Sequence, residues 1–182
     1  MVPQTFISKY QNTVIDATIG TRIFPSVKLA QMALESNWGK SIISNNAFGI
    51  KAAGVIGPYW KGDTVSAKTG EYIKGAYVTT GADFRAYKSV ADSIKDHTYF
   101  LKTNNRYAKV FQAQTPQAQA LELQNAGYAT DPGYANKLIS LINQYNLTDL
   151  DSKKKLRAVL RPTVFILIAL IAAYLIYRIW TK

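Results

Sequence analysis

Glu35 is the side chain best placed for chemistry, because it lies at the end of an apolar helix that Pro25 is predicted to open. The helix macrodipole disfavours a negative charge at that end, and the apolar neighbours Leu34 and Trp38 disfavour it further. Both effects raise the pKa of a carboxyl group. A carboxylic acid that stays protonated near neutral pH can protonate the leaving oxygen of a glycoside. A solvated glutamate at a helix end fits the same pattern, so the residues alone leave both interpretations open.

The composition excludes most other catalytic chemistry. No cysteine occurs among the 182 residues, which removes disulfide scaffolds, cysteine nucleophiles, zinc knuckles and iron–sulfur clusters. The single histidine, His97, falls on the apolar face of a predicted helix without metal-ligating neighbours, which indicates a structural role. We therefore expect no metal or other cofactor, and catalysis that depends on carboxylates, tyrosines, hydroxyls or lysines.

Positive charge is concentrated toward the C-terminus. Residues 1–151 contain 15 Lys and Arg against 11 Asp and Glu, whereas residues 152–182 contain seven Lys and Arg and no acid. The mild positive bias of the first part suits an anionic polymer such as a bacterial wall as well as it suits nucleic acid. A nucleic-acid-binding protein usually presents a strongly basic face on its folded part, so we expect no nucleic-acid partner.

The elements that must position these residues follow an α+β pattern. Residues 52–88 contain six glycines and short apolar runs that alternate with turns, which predicts a small β-hairpin or sheet. Elsewhere apolar spacing and capping or proline signals predict helices. These helices cover residues 6–18 and 25–36, and further ones start at Ser89, at Thr115-Pro116 and at Asp131-Pro132.

Six motifs follow one another along the chain. They are PSVKLAQMALESNWGKS, NNAFGIK, TGEYIKG, FRAYKS, NRYAKV and GYATDPGYANKL. In this order and spacing they resemble glycoside hydrolase family 73, the bacterial endo-β-N-acetylglucosaminidases of peptidoglycan, over roughly residues 4–147. The resemblance implies a mostly helical, lysozyme-like α+β fold. It also implies hydrolysis of the β-1,4 bond between N-acetylglucosamine and N-acetylmuramic acid.

The resemblance implies catalytic roles for three side chains. Glu35 matches the general acid of the family. Glu71 in TGEY matches the hairpin glutamate proposed there as base or nucleophile, with an exposed strand charge as the alternative. Tyr128 in GYATDP matches an active-site tyrosine that could orient the substrate's acetamido group or the attacking water, with an aromatic side chain at the core edge as the alternative. The family's mechanism is itself unsettled between inversion, a hairpin nucleophile and participation by the acetamido group.

A second set of side chains is predicted to bind the sugar. The aromatic members could stack on sugar faces, although about half of them are expected in the core. Asn46 and Phe48 are expected to shape the groove floor or a turn. Asp131 fits a helix cap better than a catalytic group. The predicted substrate-binding residues are Trp38, Asn46, Phe48, Tyr59, Trp60, Tyr72 and Asp131.

The C-terminal segment has the pattern of a transmembrane helix. No charged residue occurs between Arg161 and Arg178, and the apolar residues beyond both arginines lengthen the run. Tyr174, Tyr177 and Trp180 are placed where an interfacial aromatic belt would lie. We therefore predict a single-pass C-terminal anchor, in a bacterial inner membrane or a phage virion membrane.

This anchor determines the predicted domains and topology. We expect a glucosaminidase domain over residues 1–150, a basic linker over 151–158 and a transmembrane helix over 159–182, in contact with the lipid bilayer through 159–180. The N-terminus shows no cleavable secretory signal. Five basic residues precede the helix and two follow it, so the positive-inside rule leaves the domain in the cytoplasm. A wall-degrading domain on that side predicts a phage-encoded lytic enzyme, which acts in lysis or virion entry.

Two functions from different classes fit these observations. One is a membrane-tethered peptidoglycan hydrolase. The other is a non-catalytic glycan-binding module that anchors the membrane to the wall through the same groove. The presence of both Glu35 and Glu71 favours the enzyme, because a binding module does not need a carboxylic acid with a raised pKa.

Overall fold

The computed structural model of the chain describes residues 1–73 and 76–160, without the side chains of residues 69–80. The predicted transmembrane helix over 159–182 lies outside these residues from position 161 onward. Within the described ranges, no helix has the length and hydropathy needed to cross a bilayer.

The described residues form a mostly helical α+β arrangement with one antiparallel hairpin, which confirms the predicted class. The elements are α1 Pro3–Thr18, α2 Pro25–Glu35, β1 Thr64–Ile73, β2 Ala76–Arg85, α3 Val90–Thr103, a 3₁₀ helix Asn105–Phe111, α4 Pro116–Asn125 and α5 Tyr134–Gln144. A last helix, α6, covers residues 149–160 of the described chain. The 3₁₀ helix and α6 were not predicted as helices.

Helix α2 lies at the centre of the domain. It packs against α1, α4 and α5, and its residues from Pro25 to Ala33 are all buried. The buried set includes the polar side chains of Lys28 and Gln31. Because a buried polar group must find hydrogen-bond partners inside the protein, α2 brings polar chemistry into the core.

A tight turn ends α2 and fixes the position of Glu35. Asn37, Trp38 and Gly39 all adopt left-handed backbone conformations, with φ of 47°, 56° and 79°. The Ser36 hydroxyl donates to the carbonyl of Met32 at 2.6 Å and accepts from the Gly39 amide at 2.9 Å. Glu35 is therefore the last residue of α2, at the negative end of the helix dipole, as predicted.

Two of the three later helix starts follow the predicted capping signals. The Ser89 hydroxyl accepts from the amide of Asp92, and the Thr115 hydroxyl accepts from the amide of Ala118, each at 3.1 Å. Helix α5 differs, because it begins at Tyr134 rather than directly after Asp131. A turn therefore separates the predicted cap from the helix.

The base of the hairpin is attached to α3 through Arg85. This side chain is 1% exposed and donates to the Asp96 carboxylate at 2.8 Å. Its guanidinium also lies over the Trp60 ring, 4.1 Å from the ring centre. In the ladder, Arg85 pairs with Thr64 at the start of β1. The ion pair therefore holds the hairpin where it leaves the helical part of the domain.

Residues 151–158, predicted as a basic linker, are helical and contact the domain. The Asp151 carboxylate accepts from the Ser26 amide at 3.0 Å and from the Ser26 hydroxyl at 2.7 Å, at the start of α2. Lys154 donates to the carbonyls of Thr21 and Ile23 at 2.8 and 2.7 Å. These bonds place the segment in the folded domain and not in a linker. The sequence shows its charge but not these distant partners.

Candidate active site

A cavity of about 450 Å³ opens beside the C-terminal end of α2. Its volume is within the range of pockets that bind small ligands. One carboxyl group, two cationic side chains and several aromatic rings line it. The lining residues are Glu35, Phe48, Gly49, Ile50, Lys51, Ala53, Gly54, Phe100, Asn104, Arg106, Tyr107 and Tyr128.

Glu35 is held in this cavity by a short chain of hydrogen bonds. The Tyr134 hydroxyl donates to Oε1 of Glu35 at 2.9 Å, and Gln31 Nε2 donates to the same hydroxyl at 3.1 Å. Burial raises the pKa of Glu35 from 4.5 to about 6, and the hydrogen bond from Tyr134 acts in the opposite direction. The predicted rise of this pKa is confirmed. Tyr134 is an aromatic residue that contacts the carboxyl, and Tyr128 lines the same cavity.

Tyr128 and Tyr134 form an aromatic wall next to Glu35. Their rings stack with centres 5.7 Å apart, and Tyr107 lies 6.0 Å from Tyr128. Burial, followed by the charge of Glu35, holds the pKa of both phenols well above the usual range. Both hydroxyls therefore stay protonated and can donate hydrogen bonds at any pH at which a carboxyl group works.

Tyr128 also contacts a buried polar pair. Its hydroxyl lies 3.0 Å from Nε2 of His97, and Nδ1 of His97 lies 2.8 Å from Nζ of Lys28. The imidazole stacks on the Phe48 ring with centres 3.9 Å apart. The predicted structural role of His97 is therefore incomplete, since the ring connects α2 to the cavity wall.

Three predicted site residues, Glu35, Phe48 and Tyr128, meet in the cavity. Asn46 does not line it, but supports its floor from behind. Its Nδ2 donates to the carbonyls of Ile50 and Arg85 at 2.9 Å each, and its Oδ1 accepts from backbone amides of residues 48 and 50. The predicted alternative of a turn-forming residue describes Asn46 better than direct sugar contact.

Three predicted aromatic contacts lie elsewhere. Trp38 packs edge-on between Phe6 and Tyr145, with ring centres 5.6 and 4.9 Å away. Trp60 is 5% exposed beneath the Arg85 guanidinium. Tyr59 is exposed and borders a separate small cavity. None of the three lines the cavity beside Glu35, and their predicted contact with sugar stays a prediction. Long-range packing, which the sequence does not display, decides which aromatic rings become core.

Asp131 occupies the turn before α5. Its carboxylate accepts from the Gly133 amide at 2.8 Å and forms an ion pair with Lys137 at the surface. These contacts, led by the hydrogen bond from Lys137, hold its pKa below the usual value. The structure therefore gives Asp131 a role in the turn and places it outside the cavity lining.

The hairpin residues Glu71 and Tyr72 are described by their backbone alone. Glu71 pairs with Val78 and Tyr72 with Tyr77, near the end of β1. The structure does not describe the side chains of these two residues. The roles predicted for them in catalysis and binding stay predictions.

Sequence reasoning did not identify Tyr134, Gln31 or Lys28 as site residues. One signal was available, because Lys28, Gln31 and Glu35 are spaced i, i+3 and i+7 along an otherwise apolar helix. That spacing places them on one face of α2. A polar stripe on a buried helix predicts partners in the core, which here are His97 and Tyr134.

Comparison with known proteins agrees with this geometry. The glucosaminidase family model, described as mannosyl-glycoprotein endo-beta-N-acetylglucosaminidase, matches residues 11–147. The probable N-acetylmuramidase of Lactococcus lactis subsp. lactis is 42% identical over 139 residues, 71% of this chain and 30% of the relative. The peptidoglycan hydrolase FlgJ of Salmonella typhimurium is 45% identical over 123 residues, 64% of this chain and 38% of the relative. The chain thus spans about a third of the length of these curated relatives.

Two solved structures match over most of both chains. The catalytic domain of the autolysin Auto from Listeria monocytogenes has a TM-score of 0.70 at 35% identity, covering 83% of this chain and 90% of that one. A peptidoglycan hydrolase mutant from Sphingomonas sp. A1 has a TM-score of 0.69 at 36% identity, covering 81% and 97%. With the family model matched over most of the chain, the protein belongs to the glucosaminidase family and carries a glycoside hydrolase domain of that family.

Proposed function

We propose that this chain hydrolyses the glycan strands of peptidoglycan at the β-1,4 bond that leaves N-acetylglucosamine at the new reducing end. The observation that carries the proposal is the carboxyl group of Glu35, which lies in a cavity of suitable size with its pKa raised to about 6. The names of the matched relatives, which include peptidoglycan hydrolases, support the same substrate.

In the proposed reaction Glu35 gives its proton to the glycosidic oxygen as the bond from that oxygen to the sugar breaks. Glu35 is left as a carboxylate, which the hydroxyl of Tyr134 stabilises by its hydrogen bond to Oε1. Water forms the new bond to the anomeric carbon directly, or the acetamido oxygen of the substrate forms it first and water then opens the resulting oxazolinium ring at the same carbon. We propose Glu71 as the base that takes the proton of the water, and Tyr128 as the donor that orients the water or the acetamido group.

The charge of the cavity suits this substrate. Lys51 and Arg106 both line it, and N-acetylmuramic acid and its peptide carry carboxylates. Zymography of the full-length chain on peptidoglycan tests the proposal, with Glu35→Gln as the inactive control. Clearing by the wild type alone supports a hydrolase. Binding of peptidoglycan by the wild type without clearing would overturn it in favour of a glycan-binding anchor.

We also propose that residues 159–180 tether this domain to a membrane and that the protein is a phage-encoded lytic enzyme. The uncharged run between Arg161 and Arg178 supports the tether, and helix α6 extends from the domain to residue 160, directly before Arg161. The positive charges on either side of this run favour a domain in the cytoplasm. There the membrane separates the domain from the wall until the membrane is breached.

Fractionation of expressing bacteria tests the tether. The full chain should sediment with the inner membrane without lysing cells, whereas residues 1–160 should be soluble and lyse permeabilised cells. The cut follows residue 160 because Lys154 and Arg157 bind the domain. Digestion of the domain by protease added outside spheroplasts, or lysis on expression, would contradict this topology.

A further inference from the structure

Lys28 and His97 form a polar pair in the core that packing alone does not require. Both side chains are 0% exposed. Burial lowers the pKa of each well below its usual value, and the nearby charge of Asp96 opposes this for Lys28. Asp96 itself is bonded to Arg85 and Tyr87. Because buried ionisable groups destabilise a core, apolar residues of the same size would fold at least as well.

Hydrogen bonds connect the Lys28–His97 pair to the cavity. His97 lies between Lys28 and Tyr128, within hydrogen-bond distance of both. Stacking on Phe48, which also lines the cavity, fixes the plane of the imidazole. The connection joins α2 to α3 and then to the loop after α4. It ends on the hydroxyl of Tyr128.

The distances along this connection allow two hydrogen assignments, and in one of them Lys28 is the donor. The Lys28 nitrogen can donate to Nδ1 as an ammonium or as a neutral amine, whereas it can accept from Nδ1 only as a neutral amine. When it donates to Nδ1, the neutral imidazole carries its single hydrogen on Nε2. Nε2 then donates to the oxygen of Tyr128. The proton of Tyr128 cannot point back to His97 and is available to an acceptor in the cavity.

We propose that Lys28 and His97 are positioning residues, which hold the hydroxyl of Tyr128 with its proton directed toward the substrate beside Glu35. The acceptor is an oxygen of the substrate's acetamido group or of the attacking water. This inference rests on the proposed hydrolysis of peptidoglycan, in which Tyr128 takes part. It also gives the polar stripe of α2 a function, because Gln31 supports Glu35 through Tyr134 and Lys28 supports Tyr128 through His97.

Lys28→Met separates a functional role from a structural one. Methionine fills similar space without the amine, so we expect an unchanged or higher melting temperature. The rate constant kcat on peptidoglycan should fall about three- to tenfold, the range for loss of one hydrogen bond between neutral groups. KM should stay within about twofold, because the cavity lining is unchanged. Lys9→Met, at an exposed lysine on α1, is the matched control and should change neither quantity.

The same assignment can be observed without an activity assay. His97 is the only histidine of the chain, so a sample labelled with ¹⁵N histidine and purified without a histidine tag gives the resonances of this ring alone. We expect the neutral tautomer with hydrogen on Nε2 in the full chain at neutral pH, and a mixture of tautomers in Lys28→Met. Hydrogen on Nδ1 in the wild type, or a charged ring, would overturn the proposal.

A double-mutant cycle completes the test. If Lys28 acts through Tyr128, Lys28→Met should cause no further loss of kcat in a Tyr128→Phe background. His97→Gln, whose amide can donate to Tyr128, should retain more activity than His97→Leu. Additive losses, or full activity of Lys28→Met beside an impaired Tyr128→Phe, would overturn this inference alone. Full activity of Tyr128→Phe and Glu35→Gln would instead overturn the proposed function.

Discussion

Replacement of Glu35 by glutamine should abolish hydrolysis and, in the same variant, increase the free energy of unfolding. The amide has the shape of the carboxyl group, and its oxygen can still accept the hydrogen bond that Tyr134 donates at 2.9 Å. It cannot give a proton to the leaving oxygen. We expect a loss of about 2–4 orders of magnitude in kcat, the usual contribution of a general acid.

The gain in stability follows from the raised pKa. The folded state binds the Glu35 proton more tightly than the unfolded chain, so wild-type stability falls as pH rises from 4.5 through about 6. The difference of about 1.5 pKa units corresponds to at most about 2 kcal/mol, at about 1.4 kcal/mol per unit. Glutamine does not ionise, so the variant should exceed the wild type by up to that amount above pH 6. The advantage should vanish below pH 4.5.

Urea unfolding of both proteins between about pH 4 and 8, beside zymography, measures the two effects. Glu122→Gln, at a glutamate of α4 outside the cavity lining, is the matched control and should leave hydrolysis unchanged. A Glu35→Gln variant that clears peptidoglycan at a rate near wild type would refute the acid assignment. A difference in stability that does not vary with pH would refute the raised pKa.

Three further changes test the surroundings of the acid. Tyr134→Phe removes the hydrogen bond that lowers the pKa of Glu35, so the alkaline limb of the pH profile of kcat/KM, expected near pH 6, should move to higher pH. A move of this limb to lower pH would contradict the geometry. Asp96→Asn leaves Arg85 buried without its counter-ion, so a urea titration should show a loss of about 3–5 kcal/mol in the free energy of unfolding. A loss below about 1 kcal/mol would show that the ion pair does not hold the hairpin. Arg106→Gln should raise KM for peptidoglycan more than for uncharged chitin oligosaccharides, whereas equal increases would show that Arg106 does not bind carboxylates.

Local signals predicted the parts of this fold that depend on neighbouring residues. The caps at Ser89 and Thr115 and the proline at the start of α2 act within one helical turn, so the sequence displays them directly. The position of Glu35 at the end of α2 could be predicted for the same reason. The order of the six motifs predicted the family.

Long-range contacts account for what sequence reasoning missed. Tyr134 lies 99 positions from the carboxyl group it contacts, and His97 lies 69 positions from Lys28. No local pattern pairs such residues. The docking of α6 through Asp151 is another example, at 125 positions from Ser26. Aromatic residues were assigned least well, because a ring that packs in the core and a ring that lines a cavity have the same sequence signature.

The central claim concerns which glycosidic bond is cut, and analysis of the new reducing ends tests it most directly. Purified peptidoglycan is digested with the full-length chain, reduced with borohydride and examined by mass spectrometry, with the Glu35→Gln variant as the blank. The account predicts reduced N-acetylglucosamine at the new ends, in amounts that grow with digestion. Reduced N-acetylmuramic acid at those ends would contradict it, and would assign the chain the bond specificity of a muramidase.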